Sequence, residues 1–202
     1  MKIGILAIQG SVIEHKRVLE KLGVSVTEVR LPDDLKGIDG IILPGGESTT
    51  ISKLMKRFGL FDELKKRIID GLPVWGTCAG AILLAKKVTG KNPPLTLGLM
   101  DIEVDRNAYG RQLESFEKGF TIILAGSEWS QDSRFSNQKF NGIFIRAPKI
   151  RPLLKSDVEI LAECDSEPVM IRQKNMLATT FHPELTDDLS VHRYFLDMCK
   201  FL

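Results

Sequence analysis

Cysteine is scarce in this 202-residue chain, and the three that occur, Cys78, Cys164 and Cys199, stand far apart. An odd, dispersed set excludes a disulfide framework, and the absence of C-x-x-C or Cys/His ligand spacing leaves no metal site to expect. Charge of one sign is also lacking. Lys and Arg number 28 against 26 Asp and Glu, a formal net charge of +2, so no broad field favours nucleic acid or an anionic membrane. Long apolar runs are missing too: none approaches the roughly 18 residues that span a bilayer. The apolar opening, Met1 to Gly10, is brief and follows one lysine. It reads as a buried strand rather than a signal peptide, and a cytoplasmic protein is expected. Repeats, low-complexity tracts and linkers are absent. With 43% hydrophobic and 27% charged residues, the composition is globular, and the expectation is one domain over residues 1–202.

What is present begins with alternating strand and helix signals. Lys2 to Gln9 is an Ile-rich run that stops at Gly10. Ser11 suits an N-cap for a helix carrying Val12, His15, Val18, Leu19 and Leu22 on one face and ending at Gly23. Val24 to Val29 alternates as a strand, and Gly40 to Leu43 is a second apolar run closed by Pro44-Gly45-Gly46. Ser48-Thr49-Thr50 opens a helix with Ile51, Leu54, Met55 and Phe58 on one face, and another runs from about Phe61 to Ile69. Pro73 to Thr77 reads as a buried strand leading into an apolar helix through Leu84. Such alternation implies parallel strands with crossover helices. In the second half strand-like runs dominate: 102–104, 120–124, 142–146, 158–163, 169–173 and 177–181. They suggest an antiparallel or mixed extension of the same sheet, before an amphipathic helix from Asp188 to Phe201.

Gly76-Thr77-Cys78-Ala79-Gly80 has the form G-x-C-x-G between a strand and a helix. This is the thiol version of the nucleophile elbow. Small neighbours permit a sharp turn that lifts the sulfur out of the sheet. The N–H groups of the following helix favour thiolate, and the Ala79 amide would lie near an oxyanion on a substrate carbonyl. Cys164 and Cys199 lack such surroundings and read as structural. A thiol nucleophile in acyl transfer needs a base and often a third, orienting group. Of three histidines, His15 and His192 fall within helices and are expected at the surface or its boundary. His182 follows the strand 177–181, and sites in parallel sheets collect beyond strand carboxyl ends. Glu184, two residues on and stiffened by Pro183, points the same way and can accept from the ring. Gly45 and Gly46 can expose backbone N–H groups to an oxyanion. An ordinary strand-to-helix turn is the other reading, and a nucleotide loop is weakly supported without G-x-G-x-x-G or Walker spacing.

Together, Pro44-Gly45-Gly46, Gly76 to Gly80 and Phe181-His182-Pro183-Glu184 resemble the class I (triad) glutamine amidotransferases, in order and spacing and over the whole chain. The resemblance implies an α/β fold: a three-layer, flavodoxin-like sandwich around a mixed, mainly parallel sheet. It implies a Cys78-His182-Glu184 triad that hydrolyses glutamine through a glutamyl thioester, with no cofactor. Within that class, Leu6 to Gly10 with Glu14-His15, Gly45 to Thr50, Arg106 to Gln112, Ser115-Phe116-Glu117, Phe144 to Pro148 and His182 to Thr186 resemble the glutaminase subunits of pyridoxal 5'-phosphate synthases. By that resemblance Gly46, Glu47, Ser48, Arg106, Ile145 and Arg146 contact glutamine, and Gln9 lies near the oxyanion site. An Arg could meet the α-carboxylate of the zwitterionic substrate. The implied partner is a barrel-fold synthase subunit in a large hetero-oligomer, on which glutaminase activity depends.

One departure is the polar stretch Gly126 to Lys139, with Trp129 and Phe135, which is long for that group. It reads as an elongated hairpin loop, or more sharply as an extra partner contact. Other readings are a triad glutaminase with a different synthase, such as that of histidine biosynthesis, and a free-standing amidase or peptidase. A non-enzymatic redox sensor or chaperone with an elbow Cys is a reading from another class. The His182-Glu184 dyad weighs against that last one.

Overall fold

Alternating apolar positions on short strands demand cover on two faces, and the chain supplies it with helices between the strands. The computed structural model describes residues 1–106, 115–123 and 138–201. The first half runs β1 (Lys2–Leu6), α1 (Val12–Lys21), β2 (Ser25–Val29), β3 (Gly40–Leu43), α2 (Ser48–Arg57), α3 (Leu60–Ile69), β4 (Val74–Thr77) and α4 (Ala79–Leu84). The second half runs β5 (Ala85–Thr89), β6 (Met100–Asp105), β7 (Phe116–Ile122), β8 (Gln138–Phe144), β9 (Lys149–Pro152), β10 (Glu159–Cys164), β11 (Glu167–Gln173), β12 (Met176–Thr179) and α5 (Ser190–Phe201).

Among the described residues the main sheet has nine strands in the order β2-β1-β3-β4-β12-β11-β10-β7-β8. Neighbours from β2 to β12 pair in parallel, and the remainder pair antiparallel. Residue alternation divides the core. Ile41, Leu43, Val74 and Ala178 pack with α2, α3 and α4 on one face. Ile42, Trp75 and Leu177 pack with Leu19 of α1 and Val191 and Phe195 of α5 on the other. Burying each such Ile, Leu or Phe contributes about 1.5–3 kcal/mol. The result is the expected α/β sandwich.

The strand runs of the second half do not all extend that sheet. Among the described residues β5, β6 and β9 form a separate three-stranded sheet, with β5 and β6 parallel and β9 antiparallel to β6. β5 was not expected, because Lys86 and Lys87 break its apolar pattern. Both lysines are exposed and pair across the strands with Asp101 and Glu103 of β6. The α5 helix starts at Ser190, where Asp188 accepts from the Ser190 N–H at 2.8 Å. Leu124 and residues 126–137 of the long polar stretch lie outside the described residues, as do 107–112 of the Arg106 segment. Among the described residues no helix is long and apolar enough to cross a membrane.

Candidate active site

Sheet register places the site. β3 pairs with β4 at Leu43 and Gly76, and β4 pairs with β12 at Thr77 and Thr179. The residues just past these pairs are Gly45 and Gly46, Cys78, and His182. Gln9 follows β1, the other neighbour of β3. Four adjacent parallel strands therefore deliver their carboxyl-terminal residues to one crevice. It adjoins the point between β1 and β3 where strand order reverses, the usual ligand position in open α/β sheets.

The elbow at Cys78 is strained, with φ 48° and ψ −99°, a backbone conformation that costs on the order of 1–3 kcal/mol. Its glycines are required by close approach. A Cβ on Gly76 would lie 2.4 Å from the Gly80 carbonyl carbon, and one on Gly80 would lie 2.0 Å from the Leu43 oxygen. The Cys78 N–H donates to the Thr179 carbonyl at 2.8 Å, which ties the elbow to the strand leading to His182. Ala79 opens α4 immediately afterwards. The Cys78 sulfur lies 3.9 Å from the Ile145 carbonyl, and the His182 N–H donates to the Ile143 carbonyl at 2.8 Å. Residues around the end of β8 thus pin both groups.

His182 and Glu184 meet as expected. Nδ1 of His182 stands 2.7 Å from Oε1 of Glu184. The Glu184 side chain is fully buried. Burial pushes the His182 pKa down, but hydrogen bonds to Cys78 and Glu184, with their charges, outweigh it and raise the ring to about 10. Burial pushes Glu184 up, and the charge of His15, the His182 hydrogen bond and charge, and the Ser11 hydrogen bond bring it down to about 2. Burial also lowers His15, so this ring is neutral at neutral pH. Under that condition His182 and Ser11 keep the carboxylate ionised.

Ser11 and two histidines correct the sequence reading. Ser11 holds the N-cap position of α1 but makes no side-chain cap bond. Its hydroxyl donates instead to Glu184 Oε1 at 2.6 Å. His15 and His192, expected at the surface or its boundary, are fully buried. They pack against each other and Trp75 behind Glu184. A signal was available: Ser11 and His15 are four apart and share a helix face, the face that meets Glu184.

Gln9, Gly45, Gly46, Glu47, Ser48, Cys78, Arg106, Ile145, Arg146 and His182 all line one cavity of about 680 Å³, joined by Gly10, Ser11, Glu14, Ile82 and Leu185. Gly45 and Gly46 are packed without room for side chains: a Cβ would lie 2.4 Å from His182 Cε1 and 2.5 Å from Gln9 Oε1 respectively. The Gln9 side chain accepts from the Glu47 N–H at 2.7 Å, and the Gly45 carbonyl accepts from the Ser11 N–H at 3.1 Å. Glu47 caps α2, which Ser48 opens as expected, accepting from the Thr49 and Thr50 N–H groups. Burial pushes its carboxyl up, but these bonds prevail and hold it near pKa 2. Arg106 is committed to this cap, 3.5 Å from Glu47 and 3.3 Å from the Thr49 hydroxyl. A larger hollow of about 950 Å³ lies along α5, beside Arg193, Asp197 and Lys200, and contains none of the candidate residues. Among the described residues no group of three or more His, Cys, Asp or Glu is placed to hold a metal.

The fold and the crevice define an α/β protein of the elbow-thiol class, with a strained cysteine at a strand-to-helix turn beside a buried His-Glu pair. The chain belongs to the SNO glutamine amidotransferase family, whose model matches residues 5–201. It is 52% identical over 200 residues to the pyridoxal 5'-phosphate synthase subunit PdxT of Thermotoga petrophila, covering 99% of this chain and 100% of that one. It is 51% identical over 201 residues to the PdxT of Carboxydothermus hydrogenoformans, covering 99% of each. A solved glutamine amidotransferase structure superposes with a TM-score of 0.85 at 44% identity, covering 98% of each chain.

Proposed function

We propose that this glutamine amidotransferase hydrolyses L-glutamine with Cys78 as nucleophile and supplies the ammonia to a pyridoxal 5'-phosphate synthase subunit. The observation that carries the chemistry is the convergence of the Cys78 elbow and His182 on one crevice, with His182 hydrogen-bonded to the buried Glu184 behind it. The relatives' names support the partner.

In this reading the Cys78 sulfur attacks the side-chain amide carbon. Negative charge develops on the carbonyl oxygen, which the backbone amides of Gly45, Gly46 and Ala79 are proposed to receive, with Gln9 close by. His182 protonates the departing nitrogen, ammonia leaves, and a glutamyl thioester remains. His182 then activates water, which releases glutamate and restores the thiol. Glu184 holds the ring's tautomer and favours its charged form. No cofactor takes part. Gly46, Glu47, Ser48 and Ile145 border the bound substrate. Arg106 is already engaged with Glu47, so Arg146 is the better partner for the α-carboxylate: it lies on the same cavity and makes no ion pair among the described residues.

The partner's role follows from ammonia chemistry. Free ammonia protonates in water and is lost, so hydrolysis is useful only when a route to the synthase exists. The Gln9-Gly10 loop is proposed to couple the two; the Gln9 side chain accepts from the Glu47 N–H, and the Ser11 N–H just after the loop donates to the Gly45 carbonyl. Its rearrangement on docking would complete the oxyanion site. The test is glutamate release from glutamine with and without the synthase subunit. Release that depends on the synthase supports the whole reading, equal release alone removes the gating, and none under either condition contradicts it.

A further inference from the structure

Behind Glu184 lies a buried polar group that the chemistry above does not use. Glu184 Oε1 is doubly engaged, by Ser11 Oγ at 2.6 Å and His182 Nδ1 at 2.7 Å. Among the described residues Oε2, which is buried, takes no hydrogen bond, yet His15 Nε2 stands 3.5 Å from it. The same His15 nitrogen is 3.4 Å from the Thr77 hydroxyl of β4. On its other side, His15 Nδ1 stands 3.0 Å from Nε2 of His192 in α5, whose own buried Nδ1 has no partner among the described residues. Trp75 packs edge-on against both rings, with centroids 5.4 and 4.8 Å away.

Hydrogen-bond arithmetic selects one arrangement of protons. Only one proton can lie between His15 Nδ1 and His192 Nε2. If His15 carried it, His192 would place an N–H on its partnerless Nδ1, a buried unsatisfied donor. His15 Nε2 would then turn a lone pair toward a carboxylate. If His192 carries it on Nε2, the partnerless atom is only a lone pair, and His15 has an N–H directed toward Glu184 Oε2. Leaving a buried donor or acceptor unmade costs about 1–3 kcal/mol; the first arrangement strands both the His192 N–H and Glu184 Oε2, the second only the His192 lone pair, so the second arrangement prevails.

We propose that His15 is a positioning residue for Glu184: neutral and protonated on Nε2, it presents an N–H dipole to the second carboxylate oxygen, and His192, also protonated on Nε2, fixes that tautomer. At 3.5 Å this is longer than a formed hydrogen bond. It acts as an oriented dipole that can tighten in the substrate complex. Without it the carboxylate is anchored through one oxygen only and can swing about its last bond, taking the His182 ring with it. Burial lowers both pKa values. For His15, Glu184 and Glu14 oppose this while His182 assists, and for His192, His15 assists while Glu184 opposes. The rings are therefore uncharged when the site works.

The consequence for turnover rests on the glutaminase reading, whereas the tautomers do not. The test is a long-range proton–nitrogen correlation spectrum of the full chain with 15N-labelled histidine at neutral pH, followed by glutamate release with the synthase subunit. The expected spectrum shows His15 and His192 as neutral Nε2–H rings. Misplacing a reacting group by about 1 Å costs about 100-fold, so in His15→Leu kcat is expected to fall by up to about 100-fold, with little change in KM, and His15→Gln, which restores an N–H, should recover most of it. An Nδ1–H or doubly protonated ring in the wild-type spectrum overturns the proposal without any variant having to fold. So does equal loss in both variants, which would mark a packing role. Nε2–H rings in a wild-type protein that releases no glutamate would sustain the arrangement and sink the glutaminase reading.

Discussion

Gly45 shows how little freedom the crevice allows at the residue scale. A single methyl there would lie 2.4 Å from His182 Cε1, so Gly45→Ala must displace the ring or the loop. Displacements of that size cost about 100-fold in rate. The expected outcome is a comparable fall in kcat for glutamate release. Wild-type turnover would mean that His182 does not work from this position. Several of these residues were legible in the sequence, because their chemistry is local. Cys78 announces itself through the glycines beside it, and His182 and Glu184 through their spacing around Pro183. His15 and His192 were not legible. A histidine at a helical position looks like a boundary residue until the fold shows that its helix face meets another buried polar group.

At the scale of elements, α1, β4, α5 and the turn after β12 meet at a cluster whose groups have opposed pH dependences. His182 is raised to about 10 from 6.5, so its contribution to stability is complete below about pH 6.5 and is lost as pH rises toward 10. Glu184 is lowered from 4.5 to about 2, so its contribution is complete above about pH 4.5 and is lost as pH falls toward 2. His15 and His192 are lowered from 6.5. The unfolded chain takes up their protons first, and stability falls as pH drops below about 6.5. The cluster's net contribution therefore peaks near pH 6.5. Urea midpoints measured across pH should decline on both sides, and His182→Asn should flatten the alkaline side. An unchanged alkaline slope in that variant would show that His182 is not held charged by its neighbours. The elements themselves were largely readable. Strands such as Gly40–Leu43 and helices such as Leu60–Ile69 carry unbroken periods. β5 was hidden because Lys86 and Lys87 stabilise it through cross-strand pairs with Asp101 and Glu103, a long-range effect that leaves no local pattern.

For the whole molecule, the sheet acts as a frame that fixes where chemistry can occur. Parallel pairing from β1 to β12 puts four strand ends side by side, and each contributes one part of the crevice. That placement depends on pairings between residues about a hundred positions apart, as between Thr77 and Thr179. It was expected only in outline, from strand–helix alternation. The central claim is covalent catalysis at Cys78, and it is tested most directly by trapping the intermediate. Protein, synthase subunit and glutamine would be mixed, quenched in acid within one turnover, and digested for mass spectrometry. The account predicts a glutamyl adduct on the peptide containing Cys78, absent after Cys78→Ala and absent from Cys164 and Cys199. Glutamate release that persists in Cys78→Ala, or an adduct on another residue, would contradict it.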